Sequence, residues 1–272
     1  MINRDTVVCI SIAEKPGNFG AIVFNTAFEE LSMNYIYKPF KLGAKNLKEA
    51  IVAIRAFGIR GCGVSMPHKI TVMQYLDNID KTAQSIGAIN TIVNNKGTLT
   101  GYNTDYEAAK ILTRNTYNVK GKDIVIAGAG GAARSIVTAL KENGAKKLVV
   151  TNRDEIHGKK FAEEFKITYV PWNRRENLPG NLLINATPMG MKSDDGCAFE
   201  DVTIKRFEAV LDVVVSLDKT NIIKRAQALN KTAIPGVMMA SLQGMVQFKL
   251  YTGLDLPKSV IEKSMNLFLT VK

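Results

Sequence analysis

Three short segments ahead of residue 128 concentrate polar groups at the ends of elements. Val64-Ser65-Met66-Pro67-His68-Lys69 puts a lysine just past a proline that ends a buried run. Gly87-Ala88-Ile89-Asn90-Thr91 and Gly101-Tyr102-Asn103-Thr104-Asp105 each end in amides, hydroxyls or a carboxylate. Polar residues on loops after buried strands are where sites tend to be built. A lysine of lowered pKa accepts or returns a substrate proton, and Asp105 with Asn103 forms a partner wall for the same hydroxyl. Each has an ordinary alternative: Lys69 as a surface lysine, and Thr104 or Asp105 as the N-cap of a helix over 106–112.

A second chemistry is written at Gly128-x-Gly130-x-x-Ala133. Here Gly128 permits a sharp turn, Gly130 lets a pyrophosphate approach the backbone, and Ala133 is small enough for a helix to lie close on a sheet. The helix start then offers free N–H groups and a partial positive charge to phosphates. The alternative is a tight turn without a ligand. About 20 residues on, where an adenosine ribose falls, stand Thr151-Asn152-Arg153-Asp154. Arg153 suits a 2′-phosphate and favours NADP, with NAD also possible. Asp154 either turns back toward a 2′-OH or caps the next helix.

The elements that must position these groups follow from periodicity and punctuation. Strands are expected over 7–12, 35–40 and 61–65, with helices over 21–31 and 46–57. From 123 the pattern alternates: strands over 123–127, 147–151, 182–185 and 209–215, and helices over 134–143 and 159–165. Such alternation implies a parallel sheet with right-handed crossovers. Two helices, 237–251 and 258–269, close the pattern. The fold class is α/β. An N-terminal α/β substrate domain (1–103, rejoined by 237–272) accompanies a Rossmann-type NAD(P)-binding domain (104–236), with the active site at the carboxyl ends of the strands.

Composition narrows the classes. The chain has 272 residues, 46% of them hydrophobic, and no apolar run of the roughly 18 residues that span a bilayer. No basic-then-apolar signal opens it, so a cytoplasmic protein is expected. Three scattered cysteines and two histidines argue against disulfides and against a metal site. The net charge of +11 is spread along the chain without a basic block. It reads as a surface suited to anionic ligands, with nucleic-acid binding as the alternative and none expected. Monomer and homodimer both remain open.

Taken in order, the motifs resemble those of shikimate dehydrogenases over nearly the whole chain. The stretch 64–69 resembles the family's V-T-V-P-[FH]-K, which implies Lys69 as the catalytic lysine and Ser65 as a substrate neighbour. The stretch 87–91 resembles G-A-[VI]-N-T, implying Asn90 at the substrate, and 101–105 resembles G-x-N-T-D, implying Asp105 as catalytic partner. The stretch 128–133 resembles G-A-G-G-A-[AS], implying cofactor contacts from Gly128, Gly130, Gly131 and Ala132. Asn152-Arg153 resembles the family's 2′-phosphate motif. Asn185-Ala186-Thr187-Pro188-Met189-Gly190-Met191 resembles the stretch lining the nicotinamide, implying Thr187 and Met189. Gly236 and, seven residues on, Gln243 match a cofactor glycine and a glutamine reaching the substrate. The resemblance implies hydride transfer between NADP(H) and the shikimate/3-dehydroshikimate pair, in aromatic amino-acid biosynthesis.

Three departures stand out. The family's H-S-x-S-P-x-x-H-N, whose serines hold the substrate carboxylate, is replaced by residues 17–25, with Asn18 and Gly20 at the serine positions and Phe24 at the second histidine. Val215 stands near the place of a family tyrosine. Asp154 replaces a threonine, and His157 stands where a second basic residue is common. This pattern resembles the divergent shikimate dehydrogenase-like branch, and quinate or another hydroxylated ring acid is the alternative substrate. A dinucleotide-binding sensor without catalysis is a further alternative, and retention of both Lys69 and Asp105 argues against it.

Overall fold

The computed structural model describes residues 2–192 and 196–270. In chain order the first elements are β1 (Val7–Ala13), α1 (Phe19–Glu30), β2 (Tyr35–Lys41), α2 (Leu47–Ala56), β3 (Gly61–Val64), β4 (Asn78–Ile79), α3 (Lys81–Ile86), β5 (Thr91–Asn95), β6 (Thr98–Tyr102) and α4 (Thr104–Ile111). Then come β7 (Asp123–Ala127), α5 (Gly131–Glu142), β8 (Lys147–Asn152), α6 (Glu155–Glu164), β9 (Thr168–Pro171), β10 (Leu182–Asn185), α7 (Asp201–Ile204), β11 (Ala209–Asp212), α8 (Asn221–Ala228), β12 (Thr232–Ile234), α9 (Gly236–Thr252) and α10 (Lys258–Thr270). Two compact units result: the described residues up to Thr104 with those from Ser241 onward, and Asp105–Ala240.

The first unit is built on a mixed sheet, β2-β1-β3-β5-β6-β4. Strands β1, β2 and β3 are parallel, whereas β5 runs antiparallel to both β3 and β6. The β5–β6 hairpin was not expected from the sequence. Its turn is Lys96-Gly97, both at positive φ (50° and 90°), the geometry that matches the twist of a two-residue hairpin. Because of this hairpin, the start of β5 and the end of β6 lie beside the carboxyl end of β3. Asn90, Ser65 and Asn103 therefore share one edge.

One face of this sheet carries an aromatic core of Phe24, Phe28, Tyr37, Phe248 and Tyr251, with Val260 and Ile261. Phe24 stacks on Tyr37 at 4.6 Å between ring centroids, and Phe19 meets Phe268 edge-on at 5.0 Å. The other face buries Ile10, Ile12, Leu47, Ile51, Ile54, Val64 and Ile92. Gly61 is required by close approach, since a Cβ there would enter the Tyr251 ring.

The second unit holds a wholly parallel sheet, β12-β11-β10-β7-β8-β9. Strand order reverses between β7 and β10. In such doubly wound sheets ligands bind outside the carboxyl ends at that switch point. β7 and β10 have the bounds expected from sequence, but other boundaries moved. Helix α1 begins at Phe19 rather than 21. Helix α5 begins at Gly131 rather than 134, so Gly131 and Ala132 are helical. Helix α6 begins at Glu155 rather than 159, because Asp154 caps it by accepting the His157 N–H at 2.9 Å. β11 stops at Asp212 rather than 215, because the Val214 N–H turns to the Asp212 carboxylate.

Candidate active site

Around Lys69 the backbone is pinned from both sides. His68 is buried and its ring Nε2–H donates to the Leu42 carbonyl at 2.9 Å. Its own N–H donates to the Ser65 carbonyl, and the Lys69 carbonyl accepts from Ile89 N–H at 2.9 Å. This ties the lysine turn to the segment that carries Asn90. Ser65 is exposed, and its N–H donates to Ile12 O at 2.9 Å.

Asn90 is the hub of the first unit's polar edge, at 2% exposure. Its amide donates to Thr104 Oγ1 at 2.9 Å and to Gln243 Oε1 at 3.1 Å. Its carbonyl oxygen accepts from Thr104 N–H (2.8 Å), Thr104 Oγ1 (3.1 Å) and Thr91 Oγ1 (2.9 Å). Gln247, one turn beyond Gln243 on α9, donates to Thr91 Oγ1 at 2.8 Å and to Asn90 O at 3.3 Å. Asn103 donates to Ala88 O at 2.8 Å. The structure thus brings together Asn90 and Gln243, residues 153 positions apart. It adds Thr91 and Gln247, which sequence reading did not single out, and Thr104, read from sequence only as a helix cap. The i, i+4 spacing of the two glutamines on one helix was the available signal.

Asp105 is buried and lies in the first turn of α4, which begins at Thr104. Neither Thr104 nor Asp105 is the residue preceding the helix, so the N-cap expectation for both is corrected. Asn18 precedes α1, is exposed, and makes no side-chain cap bond. Behind it, a Cβ at Gly20 would stand 3.2 Å from the Tyr37 hydroxyl. Phe24 is buried in the aromatic core, and Asn25 secures β2 by exchanging two bonds with the Tyr37 backbone at 2.8 and 2.9 Å.

The cofactor-binding candidates all fall in the second unit. Gly128 has φ +105°, and a Cβ there would meet the Ala186 carbonyl at 2.6 Å, so only glycine fits. At Gly130 a Cβ would meet nothing within 4 Å, so the space beside the turn is open. Helix α5 has no side-chain cap, and its first intrahelical bond is Arg134 N–H to Gly130 O. The N–H groups of Gly131, Ala132 and Ala133 thus have no intrahelical acceptor. An open cradle with unspent N–H groups fits a pyrophosphate.

Next to it, Arg153 is exposed at the end of β8, and Asn152 donates to Asp154 O at 2.8 Å. Asp154 caps α6 through its Oδ1, as one of its two readings had it. The His157 ring donates to Ala129 O at 3.0 Å, joining α6 to the glycine turn.

On the far side of β7, Asn185 organises the turn after β10. It donates to Met189 O (3.0 Å), while its carbonyl oxygen accepts from Thr187 Oγ1 (2.6 Å) and Thr187 N–H (3.2 Å). Gly236, at the start of α9, is a glycine because a Cβ would collide with Val214 O.

The second unit therefore defines a dinucleotide-binding α/β protein. Residues 19–92 match the family model described as shikimate dehydrogenase substrate binding domain, and residues 107–182 match shikimate / quinate 5-dehydrogenase. A shikimate dehydrogenase-like protein of Haemophilus influenzae is 39% identical over 255 residues, covering 93% of each chain. A shikimate dehydrogenase (NADP(+)) of Methanocaldococcus jannaschii is 37% identical over 273 residues, covering 94% of each. The crystal structure of shikimate 5-dehydrogenase from Thermus thermophilus with NADP(H) and shikimate superposes with a TM-score of 0.86. It is 26% identical, covering 97% of this chain and 100% of that one. The chain belongs to the shikimate dehydrogenase family.

Proposed function

We propose that this protein catalyses reversible hydride transfer between NADP(H) and a hydroxylated ring carboxylate, with shikimate and 3-dehydroshikimate as the pair. The observation that carries this is the open, uncapped glycine cradle at Gly128–Gly130, in a chain that retains the lysine, aspartate and asparagine motifs of its family. The unit with the mixed sheet takes the substrate and the parallel-sheet unit the dinucleotide. When bound, NADP supplies the hydride acceptor.

The chain's own residues do the rest. Lys69 exchanges the proton of the reacting hydroxyl, and Asp105 orients that hydroxyl. Asn90 and Gln243 bind the ring hydroxyls from the buried hub, where one amide reorganises to admit each new bond. Asn18 donates to the carboxylate, near Ser65. Gly128, Gly130, Gly131 and Ala132 take the pyrophosphate, Asn152 and Arg153 the 2′-phosphate, and Thr187, Met189 and Gly236 the nicotinamide end. The +11 charge draws anionic ligands; nucleic acid and membrane have no part. The place of action is the cytoplasm, as a monomer or homodimer.

One observation favours a second substrate, quinate or a related hydroxylated acid. The position of the family's second serine is Gly20, and the space beside it is taken by the Tyr37 ring. A pocket missing one hydroxyl discriminates differently among polar substrates. Absorbance at the reduced-nicotinamide band, with shikimate or quinate and NADP or NAD, separates the readings. Brisk NADP reduction with shikimate is expected. Turnover with quinate alone would shift the substrate, and no turnover with tight dinucleotide binding would leave a sensor.

A further inference from the structure

The proton chemistry makes no use of Asp212, yet this carboxylate is fully buried at the carboxyl end of β11. It receives three hydrogen bonds. Oδ1 accepts from the Asn185 amide at 2.9 Å and from Val214 N–H at 3.1 Å, and Oδ2 accepts from the Thr220 hydroxyl at 2.5 Å. All three partners donate, the arrangement an ionised carboxylate satisfies as acceptor. Burial, opposed by these bonds, pushes Asp212 up to about 6.

Each partner holds a different piece of one wall. Asn185 is the residue that ties down Thr187 and Met189. Thr220 lies against Gly190, whose φ is +96° and whose Cβ, if present, would sit 3.4 Å from Thr220 Cβ. Val214 is the residue on which Gly236 rests. One carboxylate therefore clamps the 186–190 turn, the exit of β11 and the start of α9.

Topology says which half of a dinucleotide meets this wall. The glycine turn follows β7, and β8, with Arg153 at its end, lies on one side of it. β10 and β11 lie on the other. With the pyrophosphate at the turn and the adenosine ribose at β8, the nicotinamide half must cross the ends of β10 and β11. The Ala186 backbone and the Thr187 methyl already abut the Cβ position of Gly128.

We propose that Asp212 is a positioning residue for the nicotinamide half of NADP(H), acting through Asn185 and Thr220 on the 186–190 turn. This rests on the dinucleotide reading above. The test titrates the full-length protein with NADPH, followed by nicotinamide fluorescence, and with 2′-phospho-ADP-ribose, which lacks the nicotinamide. Asp212→Ala is expected to weaken NADPH about tenfold, the scale of one or two broken buried hydrogen bonds, while the fragment changes less than about twofold. Asp212→Asn keeps both Oδ1 bonds and should recover most of the loss. Thr220→Val removes one donor without opening a cavity and should weaken NADPH alone; it decides the matter if Asp212→Ala does not fold. Equal weakening of both ligands, or unchanged NADPH affinity in the variants, overturns the proposal. Absence of any dinucleotide binding by the unsubstituted protein overturns it together with the function on which it rests.

Discussion

Replacing Asn90 with alanine removes five hydrogen bonds at once, and their geometry sets the expected loss. The Thr104 N–H, in a residue only 1% exposed, has Asn90 Oδ1 as its acceptor at 2.8 Å. Leaving it orphaned costs about 1–3 kcal/mol. The Thr91 and Thr104 hydroxyls can rotate toward each other, being 3.3 Å apart, so they add little. The space left by the amide adds about 1 kcal/mol. The total is about 2–4 kcal/mol, or a fall in Tm of roughly 5–15 °C for a chain of this size. Asn90→Asp is the informative control. Its carboxylate accepts the same three bonds and loses only donation, and Gln243 can turn its own amide to donate instead. Part of the stability should return in Asn90→Asp, held back by the cost of burying a carboxylate, whereas ring-acid affinity should not. Urea unfolding measures the first and substrate titration the second. An Asn90→Ala protein as stable as the parent would refute the hub.

Further outcomes follow from the same reasoning. Lys69→Ala should cut turnover by about 10²–10⁴, the range for general acid–base catalysis, with NADPH affinity in fluorescence titration unchanged; unaltered turnover removes Lys69 from the mechanism. Phe24→Ala empties the stack on Tyr37 and should cost about 3–5 kcal/mol in urea unfolding, and a loss below about 1 kcal/mol would mean that the core closes over the gap. Folding raises Asp212 from 3.8 to about 6, so its contribution to stability is fully present below pH 3.8 and is lost as pH rises through 6. Relative to Asp212→Asn, the parent protein should lose about 3 kcal/mol between about pH 3 and pH 7, read from urea melts across that window.

The parallel unit was largely legible because its strands are short apolar runs bounded by glycine and polar residues. The run Asp123 to Ala127, followed by Gly128, leaves little freedom in where β7 ends. The mixed sheet was harder. β5 is buried on both faces from Thr91 to Asn94, so no alternation marks it, and its Asn-Asn-Lys-Gly turn is only one residue away from an Asn-Gly signal. Strands of two to four residues, such as β4 and β12, are specified by neighbours rather than by their own sequence. The site was legible as motifs but not as a network. Nothing local to Asn90 reveals that Gln243 will meet it. Val213, Val214 and Val215 read as continued strand, which hid the turn that Asp212 imposes.

The aromatic core of the first unit has a consequence for how the molecule is made. Phe24 and Phe28 pack on Phe248, and Phe24 also lies against Tyr251. Arg60 donates to the Tyr251 carbonyl at 2.9 Å, across 191 positions of chain. The ribosome adds Phe248 and Tyr251 only after the whole segment 105–240 has been made. Domains on a growing chain usually fold from the N-terminus onward. Here the order of synthesis runs against that sequence: every residue of the parallel-sheet unit is made before the aromatic core of the first unit has its Phe248 and Tyr251.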